Sequence, residues 1–161
     1  MSIDRDGYRQ IMGRFATGIT VVTTAVDGRL HGMTANALTS VCLEPMLLLV
    51  CVAQSANAHA EFVAGGRFAV NILSDQQEEL SRIFAASHEP EQGRLAGAGY
   101  HLGPQGMPIL AGCIAYVECR VTDSFVGGDH TIFLGEVLGG EIVSESPPLL
   151  FYRGGYGQLK D

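Results

Sequence analysis

The run Ile19-Thr20-Val21-Val22-Thr23-Thr24-Ala25-Val26, followed by Asp27-Gly28 and a second extended stretch from Leu30, constrains this chain more than any other feature. β-Branched side chains suit a pleated backbone. Asp-Gly between two such runs supplies the positive-φ positions of a tight hairpin turn. A chain that pairs its first strands in this way builds antiparallel sheet.

Further extended segments follow the hairpin. Met46 to Ala53 is a continuous apolar run after Pro45 and reads as a buried strand. Arg67 to Leu73 alternates, with Phe68, Val70 and Ile72 on one face. Ala115, Val117, Cys119 and Val121 alternate with Tyr116, Glu118 and Arg120, which predicts a half-exposed strand. Gly127-Gly128 turns into a strand from His130 to Val143, and Leu149 to Tyr152 forms a last short strand.

Helical spacing is confined to three places. In residues 4–16, Tyr8, Ile11, Met12 and Phe15 share one face, and Gly18 is the expected stop. Ser55 is the expected cap of a short helix reaching about Val63. Gln76 to Ala86 carries Leu80, Ile83 and Phe84 as its apolar stripe, with Ser74 or Asp75 as cap. Residues 87–112, with three prolines, are expected to form a long loop. The total is six or seven strands in hairpin order with two or three short helices. That predicts one domain, residues 1–161, built as an antiparallel β-barrel with helices outside it.

The charge balance excludes several classes. Ten basic and 17 acidic residues give a net charge of −7, and nine of the ten basic residues are arginine. No basic patch suits nucleic acid or an anionic membrane surface. The longest apolar run is far short of the ~20 residues that span a bilayer. Met1 to Asp6 has no apolar segment of the kind an export signal needs, so a soluble cytoplasmic protein is expected. Cys42, Cys51, Cys113 and Cys119 lack metal-ligand spacing and are expected to be reduced packing residues, with Cys113 and Cys119 on one face of a strand. Dinucleotide-binding Gly-x-Gly-x-x-Gly, P-loop, His-Glu-x-x-His and Gly-x-Ser-x-Gly motifs are absent.

Five segments offer chemistry, each with an ordinary structural alternative. Thr34-Ala35-Asn36-Ala37-Leu38-Thr39-Ser40 is small and hydroxyl-rich, so a flat ligand can lie against its backbone, or a neighbouring element can pack there. Gln54-Ser55-Ala56-Asn57 suits a phosphate or merely caps a helix. Arg82 reaches a phosphate or stays solvated. Gly127-Gly128-Asp129-His130 presents an acid and an imidazole that orient a polar substrate, or forms a plain turn. Tyr152 and Arg153 stack on a ring or simply anchor a strand. His31, His59, His88 and His101 share no spacing.

Taken in order, these segments resemble the flavin reductase family of two-component flavin-dependent monooxygenases, whose fold is the FMN-binding split barrel. The likeness runs from about Tyr8 to Leu159. It is carried by Phe15 to Thr23, Gly32 to Ala37 with Thr39-Ser40-Val41, Asn57 with His59, Phe68 to Leu73, Gly128-Asp129-His130 with Gly135-Glu136-Val137, and Tyr152 to Tyr156.

The resemblance implies hydride transfer from NADH (or NADPH) to FMN or FAD, with reduced flavin supplied to a separate monooxygenase. It implies flavin contacts at Thr34, Ala35, Asn36, Ala37, Thr39 and Ser40 for the ring. Gln54, Ser55, Asn57, Arg82 and Phe84 are implied for the ribityl phosphate. It implies a nicotinamide site at Asp129, His130, Tyr152 and Arg153, with His130 positioning the ring, and a homodimer. Two positions depart from the family's habit: Cys42 replaces a usual Ser, and Met46 a usual Pro. A flavin-binding electron carrier or flavin store without nicotinamide turnover is the alternative.

Overall fold

The computed structural model describes residues 2–86, 95 and 97–159. In chain order the elements begin with α1 (Arg5–Met12), β1 (Thr17–Gly18), β2 (Thr20–Val26), β3 (Arg29–Ala35), β4 (Leu38–Leu43) and β5 (Met46–Ala53). They continue with α2 (His59–Gly65), β6 (Arg67–Ile72), a 3₁₀ turn over Asp75–Gln77 and α3 (Glu78–Ala85). The second half holds β7 (Tyr100–Leu102), β8 (Pro108–Leu110), β9 (Ala115–Gly127), β10 (His130–Ile142), β11 (Leu150–Tyr152) and β12 (Gly155–Gly157).

The expected hairpin forms β2 and β3, and its turn residues Asp27 and Gly28 both take positive φ, at 49° and 75°. Seven antiparallel strands follow one another across the main sheet in the order β3-β2-β6-β9-β10-β5-β4. The sheet curls until β3 approaches β5, yet no ladder joins its two edge strands β3 and β4. The result is an antiparallel split barrel with short helices outside it, as the sequence predicts.

Side chains alternate across the sheet and feed separate cores. Val22, Val50, Val52, Phe68, Val70 and Phe133 pack inside the barrel with Phe62 of α2, whose ring lies 6.4 Å from Phe68 and 6.2 Å from Phe133. Each such buried aromatic contributes roughly 1.5–3 kcal/mol of transfer free energy. Ile19, Val21, Leu73, Leu110 and Leu149 form a second core beneath Phe84 of α3. Asn71, fully buried, donates to the Val21 carbonyl and Thr23 Oγ1 and accepts the Leu110 N–H at 2.9 Å, which ties β8 to the barrel.

Several sequence expectations change. α1 is shorter than residues 4–16 and stops at Gly13, not Gly18, with the Asp4 side chain accepting the Gly7 N–H at 2.7 Å. α2 starts at His59 with Ala58 at its cap, so Ser55 lies in the preceding turn and caps nothing. The region 87–112 is not a plain loop: β7 and β8 pair as a hairpin, while its residues 87–94 and 96, His88 among them, fall outside the described residues.

β5 is buried on alternate residues only, because its second face opens outward. β9 defies its half-exposed pattern, since Tyr116 and Glu118 are both buried. The segment joining β7 to β8 covers that face, and Glu118 Oε1 accepts the N–H groups of Gln105 and Met107. Cys113 lies before β9 in a third core with Met107 and Ile109, whereas Cys119 faces the barrel interior; they do not share a strand face. All four cysteines are free. No described helix is long and apolar enough to cross a membrane.

Candidate functional site

The segment from Thr34 to Ser40 crosses the split, leaving one edge strand, β3, and entering the other, β4. Its two ends are pinned. Thr34 Oγ1 donates to the Ser81 carbonyl at 2.6 Å, Thr20 Oγ1 donates to the Ala35 carbonyl at 2.7 Å, and the Ala37 carbonyl accepts the Cys51 N–H at 2.9 Å. Asn36, Ala37, Thr39 and Ser40 are exposed, and Asn36 Nδ2 donates to Thr17 Oγ1 at 3.2 Å. Among the described residues the outer edges of β3 and β4 have no partner strand, so main-chain donors and acceptors there lie behind small side chains. A flat heterocycle with a polar edge fits such a surface. Ala35 is buried and contributes backbone rather than side chain.

A second cluster gathers at the end of β5. His130 pairs with Ala53, and the Gln54 N–H bonds to the Asp129 carbonyl at 2.9 Å. The turn that carries Asp129 and His130 is thereby fixed beside Gln54, Ser55 and Asn57, all three exposed. His130 Nδ1 lies 2.7 Å from Asp129 Oδ1. That hydrogen bond, and then the imidazole's charge, hold the Asp129 carboxyl below the usual aspartate range, with Arg5 acting in the same direction. Beneath the turn, His59 Nε2 lies 2.8 Å from Thr131 Oγ1.

α3 flanks the split. Arg82 is exposed but engaged: it bonds Glu78 at 2.6 Å, and its guanidinium stands 4.8 Å over the Tyr156 ring. A phosphate at Arg82 would have to compete with Glu78. Phe84 is 3% exposed and packs under Gly32, where an added Cβ would meet its ring at 2.9 Å. Phe84 therefore supports the β3 floor and offers no surface for contact, which corrects its reading as a ligand-touching residue. Ser81 links the region, its Oγ lying 2.8 Å from the Tyr156 hydroxyl.

Tyr152 and Arg153 end β11. Arg153 and Gly154 are the central residues of the β11–β12 turn, with φ of 53° and 80°. The Arg153 N–H bonds to the Gly13 carbonyl at 2.8 Å, so this turn is fastened to the end of α1. The structure thus brings Gln54, Ser55 and Asn57 together with Asp129 and His130. It sets Thr34 to Ser40 beside α3, and Tyr152 and Arg153 beside α1.

Sequence reasoning missed Arg9 and Arg14, which line a cavity of about 360 Å³ with Arg153. Periodicity does not flag them, because Arg153, which completes the cavity, is distant in sequence and is brought there by the fold.

The model of the "Flavin reductase like domain" family matches residues 12–160 of this chain. The "4-nitrophenol 4-monooxygenase/4-nitrocatechol 2-monooxygenase, reductase component" of Rhodococcus opacus is 38% identical over 157 residues, 98% of this chain and 82% of that protein. A Rhizobium meliloti (strain 1021) protein named "Probable flavin reductase" is 42% identical over 154 residues, 95% of this chain; the chain spans 48% of that longer protein. Among solved structures, the NADH:FAD oxidoreductase SgcE6 of Streptomyces globisporus C-1027, in complex with NAD and FAD fragments, superposes with a TM-score of 0.90 at 39% identity, covering 98% of this chain and 93% of that one.

Proposed function

The chain belongs to the flavin reductase family, and we propose that its flavin lies across the barrel split on the Thr34 to Ser40 segment with NADH stacked above it. The protein is an NAD(P)H-dependent flavin reductase that supplies reduced flavin, FMN or FAD, to a partner monooxygenase. The observation that carries the placement is the pair of unpartnered edge strands, β3 and β4, bridged by exposed small residues. Bound flavin supplies the two-electron acceptor for the nicotinamide's hydride.

The chain's own residues bind and orient. Backbone groups of Thr34 to Ser40 hold the polar ring edge. Gln54, Ser55 and Asn57 hold the ribityl phosphate, and Arg82 borders it. His130, steadied by Asp129, positions the nicotinamide, with Tyr152 and Arg153 on the α1 side. Holding two rings in register for hydride transfer would demand positioning more than acid–base chemistry.

Residues 1–161 act as one domain of this kind, and the active form is a homodimer. α1 supports the dimer: it has no buried residue, and Tyr8, Ile11 and Met12 face outward, with Phe15 beyond them 72% exposed. A second copy covering that stripe removes an apolar patch a lone chain would leave in water. Sedimentation should show a dimer that Ile11→Asp dissociates; a monomeric parent chain would remove this element.

Anaerobic titration with NADH and excess FMN or FAD tests the whole reading. Flavin should bleach catalytically. Bleaching that stops at one flavin per chain would replace the reductase by a carrier.

A further inference from the structure

α1 leaves its apolar stripe in solvent, with no residue buried. At 100° per residue, Arg9, Gln10 and Gly13 project opposite to Tyr8, Ile11 and Met12. The apolar residues are exposed, and Arg9, Gln10, Gly13 and Arg14 line an open cavity of about 360 Å³ together with Arg153 and Gly154. Three of the chain's nine arginines thus converge on one hollow in a protein of net charge −7. Among the described residues, no carboxylate lies within ion-pair distance of Arg9, Arg14 or Arg153, although Arg82, Arg120 and His130 each have one.

Arg9, Arg14 and Arg153 are all exposed, so solvent screens their mutual repulsion, and an anion seated among them would meet three guanidinium groups. The cluster is also held in place: Arg153 takes a φ of 53°, unusual for a side-chain-bearing residue, and its N–H is tied to the Gly13 carbonyl at 2.8 Å. Backbone conformations of this kind cost about 1–3 kcal/mol and persist where surrounding structure enforces them.

We propose that Arg9, Arg14 and Arg153 form a site for the pyrophosphate of a dinucleotide, distinct from the Ser55–Asn57 phosphate site. This rests on the flavin reductase reading. Guanidinium forks match adjacent phosphate oxygens in paired hydrogen bonds. The volume lies within the range of small-ligand cavities, about 300–1,000 Å³. Both NADH and FAD carry a pyrophosphate, and the cavity adjoins Tyr152 and Arg153 on the nicotinamide side.

Calorimetry with ADP, which carries the pyrophosphate and neither reactive ring, tests the site on the ligand-free chain. Arg14→Gln, and Arg9→Gln with Arg14→Gln, should weaken ADP by about tenfold or more, with Arg14→Lys between them and the parent. Circular dichroism checks that each variant is folded, and the single Arg14→Gln serves if the double variant is not. ADP should compete with NADH or with FAD, and the ligand displaced identifies the source of the pyrophosphate. Equal ADP affinity in parent and folded variants, or competition with neither dinucleotide, overturns the site while normal NADH oxidation leaves the reductase reading intact. A parent chain that oxidises no NADH with any flavin removes the reductase reading, and the dinucleotide assignment with it, whatever ADP does.

Discussion

His130 donates through Nδ1 to the Asp129 carboxylate, 2.7 Å away, in a turn whose other anchor is the Gln54 N–H. A carboxylate only accepts, so Nδ1 carries the proton and Nε2 is left to face a ligand. The imidazole is 42% exposed, held in direction without being sealed off.

Under the proposed function, His130 positions the nicotinamide. His130→Ala should raise the KM for NADH about tenfold, or about 1.4 kcal/mol, with the flavin Kd nearly unchanged. Steady-state kinetics beside flavin fluorescence titration separate the two effects, and an equal loss of flavin binding contradicts the assignment.

The Asp129 carboxyl is held down by the same hydrogen bond. Its contribution to the turn is present above the ordinary aspartate value near 3.9 and is lost as pH falls through the lowered folded-state midpoint. Carbon-detected NMR titration should place the Asp129 midpoint below about 3.9. His130→Ala should move it toward the ordinary value.

Ser55 and Asn57 stand exposed in the turn after β5. If they hold the ribityl phosphate, Ser55→Ala with Asn57→Ala should weaken FMN by about ten- to a hundredfold, as expected for charged hydrogen bonds of about 1.5–3 kcal/mol. Riboflavin lacks the phosphate and should change little. Parallel weakening of both ligands removes the assignment.

Gly135 of β10 lies flat against Phe68, where an added Cβ would stand 2.6 Å from the ring tip and 3.0 Å from Cys119 Cβ. Phe68 is fully buried and has no room to retreat. Gly135→Ala should cost about 1–3 kcal/mol. At about 2–4 °C per kcal/mol for a chain near this size, calorimetry should register a clear fall in Tm.

Burial, and then the charge of Glu118, push the Cys119 thiol up to about 12, and burial raises Cys113 as well. The thiolate is the reactive species. At pH 8, alkylation of the native protein should therefore spare both residues and label them only after unfolding, as peptide mass spectrometry will show.

Much of the fold was legible because local rules govern it. β2 and β3 followed from β-branched residues around Asp27-Gly28, and the Ser74–Gln77 capping box formed where Ser74 was expected. Misreadings came where distant segments intervene. Glu118 looked exposed by alternation, but the segment joining β7 to β8 covers it and satisfies its carboxylate. Phe84 matched a motif position, yet the close approach of Gly32 turned it into core.

By itself the sequence determined the main strands β2, β3, β5, β6, β9, β10 and β11, the Asp27-Gly28 turn and the order of the candidate flavin and nicotinamide segments, since these depend on side-chain alternation and φ preferences within a few residues, but it did not reveal β4 or the β7–β8 hairpin. The tertiary structure alone decided that Gln54 is fastened to Asp129 and that Arg9 and Arg14 line one cavity with Arg153. Those relations join residues far apart in the chain, and long-range hydrogen bonds and packing, which leave no periodic trace, establish them.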